Sequence, residues 1–204
     1  MAAVTATVRD ADPVREKRYY MACLDLTGRD VLVVGAGSVA LEKIHDLLDV
    51  GARVTVVAPD VSEPVETLTR ERRMALIRGT YRASDLDGRF LVVAATSVTT
   101  VNERVFADAD ARGMLCNVVD VPDLCSFILP AVHRDDPIAV AISTGGASPA
   151  LAQRLRDDVA RLVTPQHARL ARELRELRPW AKARYPTYEA RRDFFQQLVR
   201  ERLG

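Results

Sequence analysis

Four apolar runs without polar alternation mark the first part of the chain: VLVV at 31–34, VTVVA at 54–58, FLVVAA at 90–95 and LCNVV at 115–119. Unalternating runs rich in valine read as parallel strands buried on both faces. Between them the period changes. Residues 38–50 place Val39, Leu41, Ile44, Leu47, Leu48 and Val50 largely on one helical face, and Gly51 closes that helix. Residues 62–73 read as a charged helix, Met74 opens a short strand, and the stretch from Ser97 reads as a helix ended by Gly113. Strand and helix alternate through about residue 117, which predicts an α/β fold with a Rossmann-type, doubly wound parallel sheet.

The pattern then changes. Residues 125–131 and 137–143 read as two strands joined by a charged turn over His133–Pro137. No helix separates them, so they are expected to be antiparallel. After GGASPA the chain is helical: residues 149–163, 165–178 with Pro165 at a first helical position, and a last helix in PTYEARRDFFQQLVRERL.

The turn after the first strand reads Gly35-Ala-Gly37-Ser-Val-Ala40 and fits G-x-G-x-x-G/A. The first glycine permits the sharp turn, the second lets the backbone approach a pyrophosphate, and Ala40 keeps the helix close to the sheet. The helix N-terminus at Ser38 and Val39 then offers free N–H groups to the phosphates. Alone this pattern is weak; following a strand, opening a helix and sitting in a βαβ unit, it predicts dinucleotide binding. The acid that usually binds the adenosine ribose, about 20 positions on, is replaced by Val57. Asp60 either reaches the ribose from the next loop or is a solvated loop acid. No arginine directly follows the second strand, which favours NAD over NADP.

Composition removes other classes. The chain has 204 residues and a net charge of +1, so charge gives no case for nucleic acid or an anionic membrane. No apolar run approaches a bilayer span. The N-terminus lacks an apolar signal core and reads as a short, frayed cytosolic leader, which places the protein in the cytoplasm. Cys23, Cys116 and Cys125 form no paired framework, and His45, His133 and His167 have no metal-ligand spacing, so no metal site is expected.

With these elements in place, LDLTGRDVLVVGAGSVALEKIHDLLDVGARVTVVAP, LVVAATSVTTVNERVFADA, CNVVDVPDLCSFILPAV and AISTGGASPALAQRLRDDV resemble, in that order, the precorrin-2 dehydrogenases of siroheme synthesis. The resemblance covers about residues 19–165; the last 40 residues carry no motif of the family. It implies an NAD-binding Rossmann domain over 1–117, a dimerisation and active-site segment over 118–147 and a helical domain over 148–204. It implies oxidation of precorrin-2, a reduced tetrapyrrole with eight carboxylates, to sirohydrochlorin. Some members then insert ferrous iron to give siroheme, and others stop at dehydrogenation. It also implies a homodimer and a helical tail over the tetrapyrrole. The full siroheme synthases add a methyltransferase module for which this length has no room, so a stand-alone enzyme is expected.

The family's key aspartate is the one in N-V-V-D, here Asp120, placed just past a strand where a carboxylate can accept a proton as hydride leaves. Read without the family, Asp120 is a turn former before Pro122, and it is the surrounding motif that reverses this. Asn117, on the same strand, either holds the cofactor or fixes the turn. Thr96 and Ser97 end the fourth parallel strand, and their hydroxyls are expected to face the cofactor cleft. Ser143, Thr144 and Gly145 form a donor-rich turn that either holds substrate carboxylates or belongs to a helix cap at Ser148. The arginines of the tail read as a solvated face, of which one or two would suit a propionate or acetate. Trp180 reads as tail core, and His133 as an exposed turn residue. Three other readings compete: an NAD-sensing regulatory Rossmann domain, a tetrapyrrole-binding protein without catalysis, and a chelatase alone. The first usually carries the ribose acid missing at Val57. The last leaves the glycine turn unexplained.

Overall fold

A computed structural model describes residues 19–203, and the leader expected at the N-terminus falls almost wholly outside them. The chain forms two compact units that divide between Ile128 and Leu129.

The first unit holds five parallel strands: β1 (Asp30–Val34), β2 (Arg53–Ala58), β3 (Ala75–Arg78), β4 (Leu91–Ala94) and β5 (Leu115–Val118). Their order is β3-β2-β1-β4-β5, so the sheet is wound outward in both directions from β1. Helices α1 (Ser38–Asp49), α2 (Glu63–Arg70) and α3 (Thr99–Asp110) make the crossovers. Successive residues of β1 enter different cores. Val31 and Val33 pack with Ile44 and Leu47 of α1 and Val65 and Leu68 of α2, while Leu32 and Val34 pack with Val105 and Ala109 of α3. Both faces are covered, which is why the strand sequences do not alternate.

Local chemistry sets the boundaries. Gly51 leaves α1 at φ +79° with its N–H on the Leu48 carbonyl. Arg72 takes φ +57°, and α2 ends at Arg70 rather than running to 73. A 3-10 turn over Ala83–Leu86, not anticipated, precedes β4.

The second unit is an antiparallel hairpin, β6 (Ala131–Asp135) and β7 (Ile138–Ile142), with α4 (Pro149–Leu162), α5 (Pro165–Arg184) and α6 (Tyr188–Leu203). The hairpin type is as expected, but its first strand lies later than 125–131. Residues 125–127 instead run along the free edge of β5, where Ser126 N–H donates to the Cys116 carbonyl at 2.9 Å. Consequently His133 and Arg134 are strand residues, and the turn is made by Asp136 and Pro137. His133 is half-buried rather than a plain exposed turn residue, and its Nε2 has no hydrogen-bond partner among the described residues. Helix α5 also runs through Pro179, beyond the expected end at 178. An interior proline removes one helix hydrogen bond and its ring crowds the carbonyl four residues back, at about 3 kcal/mol; fully buried Ala181 and the contacts of Trp180 with Tyr185 and Phe194 offset this and hold the next turn in place. Trp180 joins that aromatic cluster yet stays half exposed, so it is not a core residue.

Candidate functional site

All five strands are parallel, so the segments leaving β1, β2, β4 and β5 emerge on one edge. At β1 and β4 they diverge to opposite sides of the sheet, the crevice where open α/β sheets bind ligands.

Gly35 leaves β1 at φ +115°, its N–H on the Val57 carbonyl at 2.9 Å. A Cβ here would stand 2.4 Å from the carbonyl oxygen of Ala95, so the turns after β1 and β4 touch through this glycine. Gly37 differs: a Cβ would meet nothing within 4 Å, because the position faces open space. It is the N-cap of α1, and no side chain of the described residues caps that helix or places an acid in its first turn. Exposed Ser38 and Val39 begin the helix. An uncapped N-terminus with an open approach fits a dinucleotide pyrophosphate, and these backbone groups would hold it. Ser62 steadies the turn through its hydroxyl, which donates to the Ala36 carbonyl at 2.7 Å.

Asp60 is exposed in the segment after β2, on the same edge. Sequence reading missed Arg78. It lies far along the chain, but β3 pairs alongside β2 and sets Arg78 in register with Ala58. An arginine therefore stands beside the end of β2, and its guanidinium is ion-paired with Glu66 of α2.

After β4, Thr96 is half-buried and its hydroxyl is turned into the loop. It donates to Oδ1 of Asn102 at 2.9 Å and accepts from the Val98 N–H at 3.1 Å. The Asn102 amide returns a bond of 2.9 Å to the Thr96 carbonyl. Asn102, a buried polar residue on α3, thus shapes this loop; an asparagine within the helical run was its only signal. Ser97 is exposed at the edge.

Buried Asn117 donates to the Phe127 carbonyl at 3.0 Å, so its amide fixes the segment that returns along β5. Cys125 ties the same place from the other side: Sγ accepts from the Val118 N–H at 3.3 Å and lies 3.2 Å and 3.3 Å from the carbonyl oxygens of Val118 and Val121. Between those anchors Asp120 adopts φ +62°. Its carboxylate is exposed and makes no hydrogen bond or ion pair with any described residue. Cys116, beneath, is pushed up to about 12 by burial, with lesser contributions from Cys125 and Asp110, so it stays a thiol at neutral pH.

The family model for NAD(P)-binding proteins matches residues 22–131. The chain belongs to that family. A second model, the central part of sirohaem biosynthesis proteins, matches residues 135–162, so the family member here is a module of the siroheme synthase type. Siroheme synthase 2 of Klebsiella pneumoniae is 40% identical over 180 residues, 88% of this chain. The siroheme synthase of Methylobacillus flagellatus is 37% identical over 181 residues, 89% of this chain. The chain spans 39% of the length of each. A solved structure of SirC, a precorrin-2 dehydrogenase, superposes with a TM-score of 0.77 at 29% identity, covering 91% of this chain and 93% of that one.

Ser143, Thr144 and Gly145 lie in the second unit. The Thr144 hydroxyl accepts from the Ser148 N–H at 3.1 Å, Ser143 Oγ accepts from the Gly145 N–H at 3.1 Å, and Ser148 caps α4 through the Leu151 N–H at 3.2 Å. The cap read from Ser148 is thus formed, and both hydroxyls take part in the turn before it. Among the described residues no cluster of His, Cys, Asp and Glu is arranged to hold a metal ion, and no helix is long and apolar enough to cross a membrane.

Proposed function

We propose that this module is an NAD-dependent precorrin-2 dehydrogenase, oxidising precorrin-2 to sirohydrochlorin in the cytoplasm. One observation carries the reading. An open, uncapped glycine turn and an exposed carboxylate at Asp120, with no partner among the described residues, lie on the same edge of one sheet. Similarity to the SirC precorrin-2 dehydrogenase along nearly the whole chain supports it.

When bound, NAD supplies a hydride acceptor. The residues of this chain do the rest. The N–H groups at Gly37, Ser38 and Val39 hold the pyrophosphate, Asp60 serves the adenosine ribose, and Thr96, Ser97 and Asn117 shape the walls toward the nicotinamide. Asp120 accepts the proton that the macrocycle gives up as hydride leaves one of its C–H bonds. Ser143 and Thr144 offer backbone donors to substrate carboxylates, and Gly145, whose own N–H is held by Ser143 Oγ, shapes the turn that presents them.

Ferrous iron is a second substrate in this reading, since metal insertion needs proton acceptors for two pyrrole N–H groups and a carboxylate such as Asp120 supplies one. A homodimer is also part of it. Both strands of the β6–β7 hairpin are sheet edges, with Ala139 and Ala141 exposed, and an isolated two-stranded ribbon is marginal by itself.

The test is anaerobic: protein with precorrin-2, with and without NAD, then ferrous iron. NADH formed in step with sirohydrochlorin is the expected result, and siroheme above the protein-free blank establishes iron insertion. Iron uptake without any NADH would make the protein a chelatase and the glycine turn a structural corner. A monomer at micromolar concentration in sedimentation would remove the dimer.

A further inference from the structure

The segment that leaves β2 is held at both ends. Where the strand stops, the Ala58 carbonyl accepts from the Gly79 N–H at 3.0 Å, which joins it to the end of β3. At Ser62, the N–H and the hydroxyl both donate to the Ala36 carbonyl, at 3.2 Å and 2.7 Å, which joins it to the glycine turn. Pro59, Asp60 and Val61 therefore bridge the glycine turn and Arg78. A dinucleotide whose pyrophosphate lies on the N-terminus of α1 has its adenosine ribose at the end of β2, against this bridge. The Ser62 carbonyl in turn accepts from the Glu66 N–H at 3.0 Å, so Glu66 of α2 is fixed to the same segment.

The charges around that place are arranged against a phosphate. Val57 stands where an acid would take the ribose hydroxyls, and exposed Asp60, which makes no hydrogen bond or ion pair with a described residue, is left for that task. Arg78 has the charge and the planar donors that a 2′-phosphate would seek. It is occupied, because its guanidinium donates to Oε1 of Glu66. Glu66 is the less exposed partner, 24% against 58%, since its neighbours Val65 and Leu68 anchor α2 in the core. Arg70 is taken up in the same way by Glu63. An exposed ion pair is weak, so an incoming phosphate could draw Arg78 away. Doing so would leave the Glu66 carboxylate bare beside a phosphate carrying nearly two negative charges. Glu66 thus opposes a 2′-phosphate twice: it holds the guanidinium, and it repels the group that competes for it.

We infer that Glu66 and Arg78 are the cofactor-selecting pair of this module: by holding Arg78, Glu66 sets NAD above NADP. Asp60 completes the choice by accepting from the ribose hydroxyls that NAD leaves free. Glu66 acts through Arg78 and is a positioning residue; neither side chain takes part in hydride transfer. The inference rests on the nucleotide half of the dehydrogenase reading and not on its tetrapyrrole half.

The test is direct binding of NADH and NADPH to the full chain, followed by nicotinamide fluorescence, in the native protein, Glu66→Gln, Arg78→Gln and the double variant. Both single changes break the same ion pair, so a merely structural pair shifts both urea midpoints and both affinity ratios alike. The selecting pair requires opposite signs. In Glu66→Gln the freed guanidinium raises NADPH affinity relative to NADH about tenfold, and the gain shrinks with salt. In Arg78→Gln the same ratio falls, because Glu66 is left bare. The double variant returns it to near the native value. Competition by adenosine 2′,5′-bisphosphate against adenosine 5′-phosphate shows the same order, which locates the effect at the ribose. A ratio that moves the same way in both single variants, or in neither, overturns the inference. If the ratios behave as stated while precorrin-2 yields no NADH, the dehydrogenase reading fails and the selecting pair stands. If the native protein binds neither nucleotide, both fail.

Discussion

The two glycines of the first turn serve different purposes, and substitution separates them. In Gly35→Ala the new methyl meets the Ala95 carbonyl and the backbone stays at a φ that alanine resists. A loss of about 2–4 kcal/mol is expected, read as a lower urea midpoint. In Gly37→Val the side chain enters open space, so the midpoint shifts by less than about 1 kcal/mol, while NAD affinity in a fluorescence titration falls. Asp120 is best tested as Asp120→Asn, since asparagine tolerates φ +62° as alanine does not. Turnover falls about a hundredfold to ten-thousandfold with NAD affinity kept; an unchanged rate removes the carboxylate from the chemistry.

At the scale of elements, the sequence was most legible where both faces of a strand are buried. Such runs as VLVV and LVVA admit little else, and their order set the sheet. The sequence was less legible at the hairpin. SFIL is as apolar as a strand, but after β5 it serves to close that strand's edge through Ser126 and Asn117, a role carried by side-chain hydrogen bonds that hydropathy does not register. The site followed the same rule. Gly35 and Gly37 sit at a turn whose chemistry is local, whereas Asp120 stands out only through the family resemblance, since by itself an acid before Pro122 reads as a turn former. Arg78 and Asn102 reach the site only through strand pairing or the packing of α3, which no spacing along the chain encodes. The closed edge also has a pH signature. Cys116 titrates near 12 when folded, above its ordinary thiol value, so the folded state keeps a proton the unfolded chain gives up. That stability is complete below about pH 8.5 and is lost as pH rises toward 12. Denaturant midpoints are expected to fall between neutral pH and pH 10 in the native protein, and to fall less in Cys116→Ala.

For the whole molecule, the division between Ile128 and Leu129 gives each unit its own task. The first carries the nucleotide turn and Asp120. The second carries the turn at Ser143 and the hairpin edges, so nucleotide affinity and dimerisation, read by titration and by sedimentation, are expected to respond to different substitutions.

The position of β1 has one more consequence. It pairs on both sides and lies between two cores, whereas β5 has a neighbouring strand on only one side and relies on residues 125–127 for the other. The amides of Val31–Val34 should therefore be the last in this sheet to exchange with deuterium, and those of Cys116–Val118 should exchange earlier. The glycine turn hangs from the slow strand and Asp120 from the fast one. Mild heating would thus leave a protein that still recognises its nucleotide after it has ceased to use it, a decoupling in which affinity outlives turnover.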